Sequence, residues 1–117
     1  MNQYDISKLF VTSFNLVATM IHQNAANKGF WEPDQDRNDG EMIALAHSEL
    51  SEALEAIRHG NPPDDKLPHH SAAVVELADC VIRLMDMAHA RGWNLGQAIM
   101  DKHTYNTTRP HKHGKAF

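Results

Sequence analysis

Residues 71–92 read SAAVVELADCVIRLMDMAHARG, and this stretch decides the fold. Val74, Val75, Leu77, Ala78, Cys80, Val81, Ile82, Leu84, Met85, Met87 and Ala88 fall on nearly every side of a helix that Gly92 would stop. A helix that is apolar all round has to be covered all round. A four-helix domain of 117 residues is too small to do this alone, so the run predicts an all-α fold in which a second subunit covers part of the surface. The expected assembly is a homodimer or homotetramer.

The flanking segments keep the same period. Ile6, Leu9, Phe10, Ser13, Val17, Met20 and Ile21 recur at spacings of three and four, with Asp5 as a cap and Gly29 as a stop. The stretch GFWEPDQDRNDG, from Gly29 to Gly40, reads as a loop. A second helix starts near Asp39 and carries the stripe Ile43, Ala46, Leu50, Ala53, Leu54 and Ile57 until Gly60, Asn61, Pro62 and Pro63 end it. The linker from Asn61 to His70 holds three prolines and no long regular element. A fourth helix runs from about Asn94 to Thr107, ahead of Pro110. No strand-like alternation and no repeat is present. The expected architecture is one domain over residues 1–117, a four-helix type built around an antiparallel helix hairpin.

Composition narrows the function. Apolar residues make up 42% and charged residues 22%, the profile of a folded globular chain. A net charge of −4 argues against polymeric nucleic acid as a partner. No run approaches the ~18 apolar residues of a membrane span, and the first ten residues lack the apolar core of a secretory signal. The single cysteine, Cys80, excludes an internal disulfide framework, reads as an inert core thiol and fits a reducing compartment. The expected location is cytoplasmic. Charge is nonetheless segregated: eight acids stand against Arg37 alone between Glu32 and Glu55, while residues 102–117 hold four bases, three histidines and no acid.

The chemistry lies in two short strings. HSELSEALEA, from His47, places Glu49 and Glu52 three residues apart, and VVELADCV, from Val74, does the same for Glu76 and Asp79. Helical residues three apart differ by about 60° around the axis and about 4.5 Å along it, so each pair leaves one face. One such pair is ordinarily a solvated face. Two pairs on consecutive helices, the second inside an apolar run, are better read as a metal site, because inward carboxylates are costly unless paired or bound to a cation. Hard oxygen ligands without cysteine favour Mg2+, with Mn2+ as the second choice. A ferritin-like di-iron site wants Glu-x-x-His, and only Asp86 and His89 approach that pattern. A non-enzymatic helical interaction module with exposed acids is the other alternative, and it predicts no stabilisation by metal. His47 reads as an ordinary helix residue.

These strings, in this order, resemble the MazG-like all-α nucleoside triphosphate pyrophosphohydrolase superfamily, whose signature is Glu-x-x-Glu on one helix and Glu-x-x-Asp on the next. The ending KHTYNTTRPHKHGKAF, from Lys102 to Phe117, looks like the Lys-x-x-Tyr-Asn-x-x-Arg-Pro…His-Gly-Lys tail of one branch. Ser48 departs from the pattern, standing where many members have a further acid, with Glu55 as a possible substitute. The resemblance implies hydrolysis of a (deoxy)nucleoside triphosphate to the monophosphate and pyrophosphate; a phosphoribosyl-ATP substrate is the alternative of the same reaction type. It implies Mg2+ held by Glu49, Glu52, Glu76 and Asp79, with either Glu49 or Glu52 accepting the proton of the attacking water. Lys102 and Arg109 would bind the triphosphate, two turns apart on one face if the helix persists that far. Tyr105 and Asn106 would contact sugar or base, and His113 and Lys115 would close over the site or reach a neighbouring subunit. In the loop, Lys28, Phe30 and Trp31 would serve the substrate, Trp31 as a stacking face for the base or, equally, as a plug holding the loop on the core.

Overall fold

The computed structural model describes residues 1–34 and 37–117. Among the described residues four α-helices follow one another: α1 (Gln3–Asn27), α2 (Asp39–Arg58), α3 (Ala72–Arg91) and α4 (Leu95–Thr107), with a short 3-10 turn at His111–Gly114. The chain is all-α. Among the described residues the only β feature is an isolated bridge between Pro63 and Ser71.

Side chains set the helix starts. Asn2 accepts from the Asp5 amide at 2.9 Å while the Asp5 carboxylate reaches back to the Asn2 amide at 3.3 Å, forming a capping box. The cap of α1 is therefore Asn2, and Asp5 is its reciprocal partner rather than the cap itself. Asn38, Ser71 and Asn94 cap the other three helices. Gly92 ends α3 in the left-handed conformation, at φ +71°, which a residue with a Cβ adopts only under strain. α4 ends at Thr107 with Thr108 as its C-cap, so Arg109 lies beyond the helix.

α3 is the axis of the molecule, with α1 and α2 both packed on it. Along α2 and α3 the bonded pairs run in opposite senses: Asp39 with Arg91 at 2.8 Å, Glu49 with Arg83 at 3.0 Å, and the Asn61 side chain with the Ala73 amide at 2.9 Å. α1 also opposes α3, through Thr19 with His89 at 3.4 Å and His22 with Asp86 at 2.8 Å. Hence α1 and α2 point the same way and a cleft opens between them over α3. α4 docks on α1 through Gly96, where an added Cβ would meet Asn15 Oδ1 at 3.0 Å and the Val11 carbonyl at 3.4 Å.

The core is thin and built mainly of small or flexible side chains: Ala18, Met42, Ala46, Ala53, Ala73, Cys80, Met85, Met87 and Ala88. The chain exposes 8565 Å2, where a compact monomer of 13.2 kDa would expose ~6400 Å2. Its radius of gyration, 16.7 Å, likewise exceeds the ~13.4 Å of a compact chain of this length. Large apolar side chains are part of this surface. Val74, Leu77 and Val81 on α3 are 45%, 47% and 46% exposed, and stripes on α1 (Leu9, Leu16, Met20) and α2 (Leu50, Leu54, Ile57) also face water. Thus one chain covers only part of the circumference of α3. Among the described residues no helix is long and apolar enough to cross a membrane.

Candidate functional site

Glu49 on α2 and Asp79 on α3 line the cleft, and Glu76, three residues before Asp79 on α3, stands beside them. Each offers one oxygen, and the three oxygens lie within 4.8 Å of one another. Glu49 is 9% exposed, and Arg83 donates its Nε–H to Glu49 Oε1 at 3.0 Å. Glu76 and Asp79 are half-buried, and Glu52, one turn past Glu49, is exposed at the rim. Glu52 falls outside the tight trio but close enough to act on Glu76.

Crowding of like charges governs this group. Glu76 Oε2 is buried and has no hydrogen-bond donor. A shared proton, an ordered water or a cation would satisfy such an oxygen. A hydrogen bond shared with Glu49, then burial, then a hydrogen bond with Glu52 and the charges of both push the Glu76 carboxyl up from 4.5 to about 7. Asp79 is also raised, first by burial and then by the Glu49 charge; Arg83 opposes this, and Glu52 and Asp64 add to it. The Asp64 carboxylate is held by the amides of Lys66 and Leu67 at 3.0 and 2.9 Å within the proline-containing linker. A hard-oxygen set with one donorless buried oxygen fits Mg2+ or Mn2+ in ligand chemistry.

Two of the trio, Glu49 and Asp79, border a cavity of about 510 Å3 between α1, α2 and α3. Glu49, Asp79 and Arg83 line its polar end; Val17, Met20, Ile21 and Ile82 form an apolar wall; Lys28, Phe30 and Arg37 line it from the loop. A volume of this size, mostly apolar with a few convergent charges, is that of a small-molecule site.

The structure distributes the expected substrate residues unevenly. Lys28 lines the cavity. Trp31 does not; its Nε1–H donates to both oxygens of Asp86 at 3.0 and 3.1 Å, so it pins the loop to α3 rather than offering a free stacking face. Lys102, Tyr105 and Arg109 gather with one another instead of with the carboxylates, Lys102 Nζ lying 4.8 Å and Arg109 Cζ 5.8 Å from the centre of the Tyr105 ring. Asn106 Oδ1 is buried without a partner. His113 and Lys115 lie exposed in and just after the terminal turn. None of these six tail residues lines the cavity within one chain.

Three participants escaped the sequence reading: Arg37, Arg83 and Asp86. A signal for two of them was present, since Glu76, Asp79, Arg83 and Asp86 follow at spacings of three, four and three, one helix face of charge inside an apolar run. Asp86 is bonded to His22 and Trp31, and the only metal-capable trio found among the described residues excludes it and His89.

Comparison with family models, with curated proteins and with solved structures gives no match to this chain.

Proposed function

We propose that this protein is a metal-dependent nucleoside triphosphate pyrophosphohydrolase, cleaving a (deoxy)nucleoside triphosphate to the monophosphate and pyrophosphate, as the MazG-like pattern of its carboxylates implies. One observation carries the reading: three carboxylates bring an oxygen each within 4.8 Å of one another, Glu76 among them has a donorless buried oxygen, and Glu49 and Asp79 line a cavity of about 510 Å3. Glu49, Glu76 and Asp79 would hold Mg2+, with Glu52 joining from the rim. A bound divalent cation supplies charge neutralisation for the phosphate oxygens and acidifies water for attack at the α-phosphorus.

The chain's own residues do the rest. Arg83 engages one oxygen of Glu49 and fixes its rotamer. That leaves Glu52, exposed and close to Glu76, as the acceptor of the water's proton. Lys28, Arg37 and Arg83 face the anionic end of the substrate, and the apolar wall takes the base. The uncovered stripes on α1, α2 and α3 fit a homodimer or homotetramer assembled around the helix hairpin. In that assembly Lys102, Tyr105, Asn106, Arg109, His113 and Lys115 reach the acidic centre of a second copy, joining the two segregated charges.

The test is a panel of ribo- and deoxynucleoside triphosphates with Mg2+, following pyrophosphate and orthophosphate separately. Stoichiometric pyrophosphate and monophosphate is the expected result. Orthophosphate alone, or no turnover of any member, would overturn the reading.

A further inference from the structure

A second buried acid anchors the wall that the loop contributes to the cavity. Asp86 lies on α3 seven residues past Asp79, is 9% exposed and itself lines the cavity. Donors reach it from two directions. His22 Nδ1 on α1 is 2.8 Å away, and from the loop come Trp31 Nε1, at 3.0 and 3.1 Å from the two oxygens, and Arg37 Nη1 at 3.6 Å. The Trp31 ring is packed by Arg37, whose Cζ lies 4.6 Å from its centre, and by the His22 ring at 5.3 Å. Arg91 completes the tie by donating to the Arg37 carbonyl and to Asp39, both at 2.8 Å.

The amides of Lys28, Gly29 and Phe30 bond back to the last turn of α1, and beyond Trp31 the described residues 32–34 have little packing of their own. Lys28 and residues 32–34 are exposed, and Phe30 is 58% exposed although it lines the cavity. A buried carboxylate is costly unless its hydrogen bonds are made, so this hub tolerates few alternative placements of Trp31. We propose that Asp86 is a positioning residue: by holding Trp31 and Arg37 it sets Lys28, Phe30 and Arg37 in the cavity wall that receives a nucleoside triphosphate. The inference rests on the reading of the cavity as the substrate site. It assigns Asp86 no contact with the reacting atoms.

The experiment uses the full chain with Asp86→Asn and Trp31→Phe. Two readouts are taken: hydrogen exchange of the amides of residues 28–32 and 34 without nucleotide, and KM and kcat for the triphosphate that the wild type turns over fastest. Each variant loses bonds to a charged acceptor, so exchange should quicken and KM rise by about tenfold or more, with kcat held within about twofold. Trp31→Phe keeps a ring and removes the N–H, so it carries the same test if Asp86→Asn does not fold. Unchanged exchange in a folded variant overturns the proposal whatever the nucleotide does. A lowered Tm and kcat with KM unchanged overturns it too, as that is a purely structural role. A wild-type chain that turns over no triphosphate instead sinks the reading of the cavity, and the exchange comparison still decides whether Asp86 holds the wall.

Discussion

Glu76 is the residue on which the electrostatics of the site turn. Its carboxyl, raised to about 7, binds a proton more tightly in the folded than in the unfolded chain. Stability from this group is therefore fully present below pH 4.5 and is lost as pH rises through about 7. In metal-free protein the Tm should fall across that window, and Glu76→Gln should flatten the fall; an unchanged slope in the variant would refute the assignment. Mg2+ uptake below about pH 7 should release a proton, visible as a buffer-dependent heat of binding. Glu49→Gln and Asp79→Asn test the trio directly. Residues that merely support a metal ligand cost 10–100-fold when changed, so losing a ligand should reduce turnover at least about a hundredfold while the helical circular dichroism persists. Wild-type-like turnover in both variants would end the metal mechanism.

At the scale of elements, α3 explains both what the helices bury and what they leave bare. On its charged face Asp79, Arg83 and Asp86 line the cleft with Glu76 beside them, and Val74, Leu77 and Val81 remain in water. The all-α class was legible from the 3.6-residue period of four segments, because that period depends on local geometry alone. The helix ends were legible to within a few residues, since caps and left-handed glycines are local too. Asp5 shows the margin, being a capping partner instead of the cap, while α4 ends at Thr107 as its spacing predicts and so does not persist to Arg109. The docking of α4 depends on Gly96. Gly96→Ala would push a methyl group against Asn15 and the Val11 carbonyl. Overpacking of this kind costs about 1–3 kcal/mol, to be read as a lowered urea midpoint. An unchanged midpoint would mean that α4 is not seated at this point.

The whole molecule is more open than its mass warrants, and it exposes large apolar side chains on three helices. We expect it to sediment as a homodimer or homotetramer at micromolar concentration, and Leu50→Lys with Leu54→Lys to weaken that assembly if the α2 stripe is covered. If the tail of one copy serves the carboxylates of another, mixing inactive Glu49→Gln with inactive Lys102→Ala should restore roughly a quarter of wild-type activity for randomly paired dimers. No recovery on mixing would confine each site to one chain. Mg2+ at 100 times its dissociation constant should stabilise the fold by ~2.7 kcal/mol over protein in EDTA, and an unchanged melt would favour a helical module without a metal.

By itself the sequence determined the helical class, the approximate helix ends and the two carboxylate pairs, all of which follow from spacing along a regular helix. Only the tertiary structure decided which acids converge. Glu52 stays at the rim, Arg83 joins Glu49, and Trp31 bonds to Asp86, 55 positions along the chain, without lining the cavity itself. Periodicity shows that residues share a face of one helix. It carries no record of how far a neighbouring helix is rotated about its axis, and that rotation selects the partners.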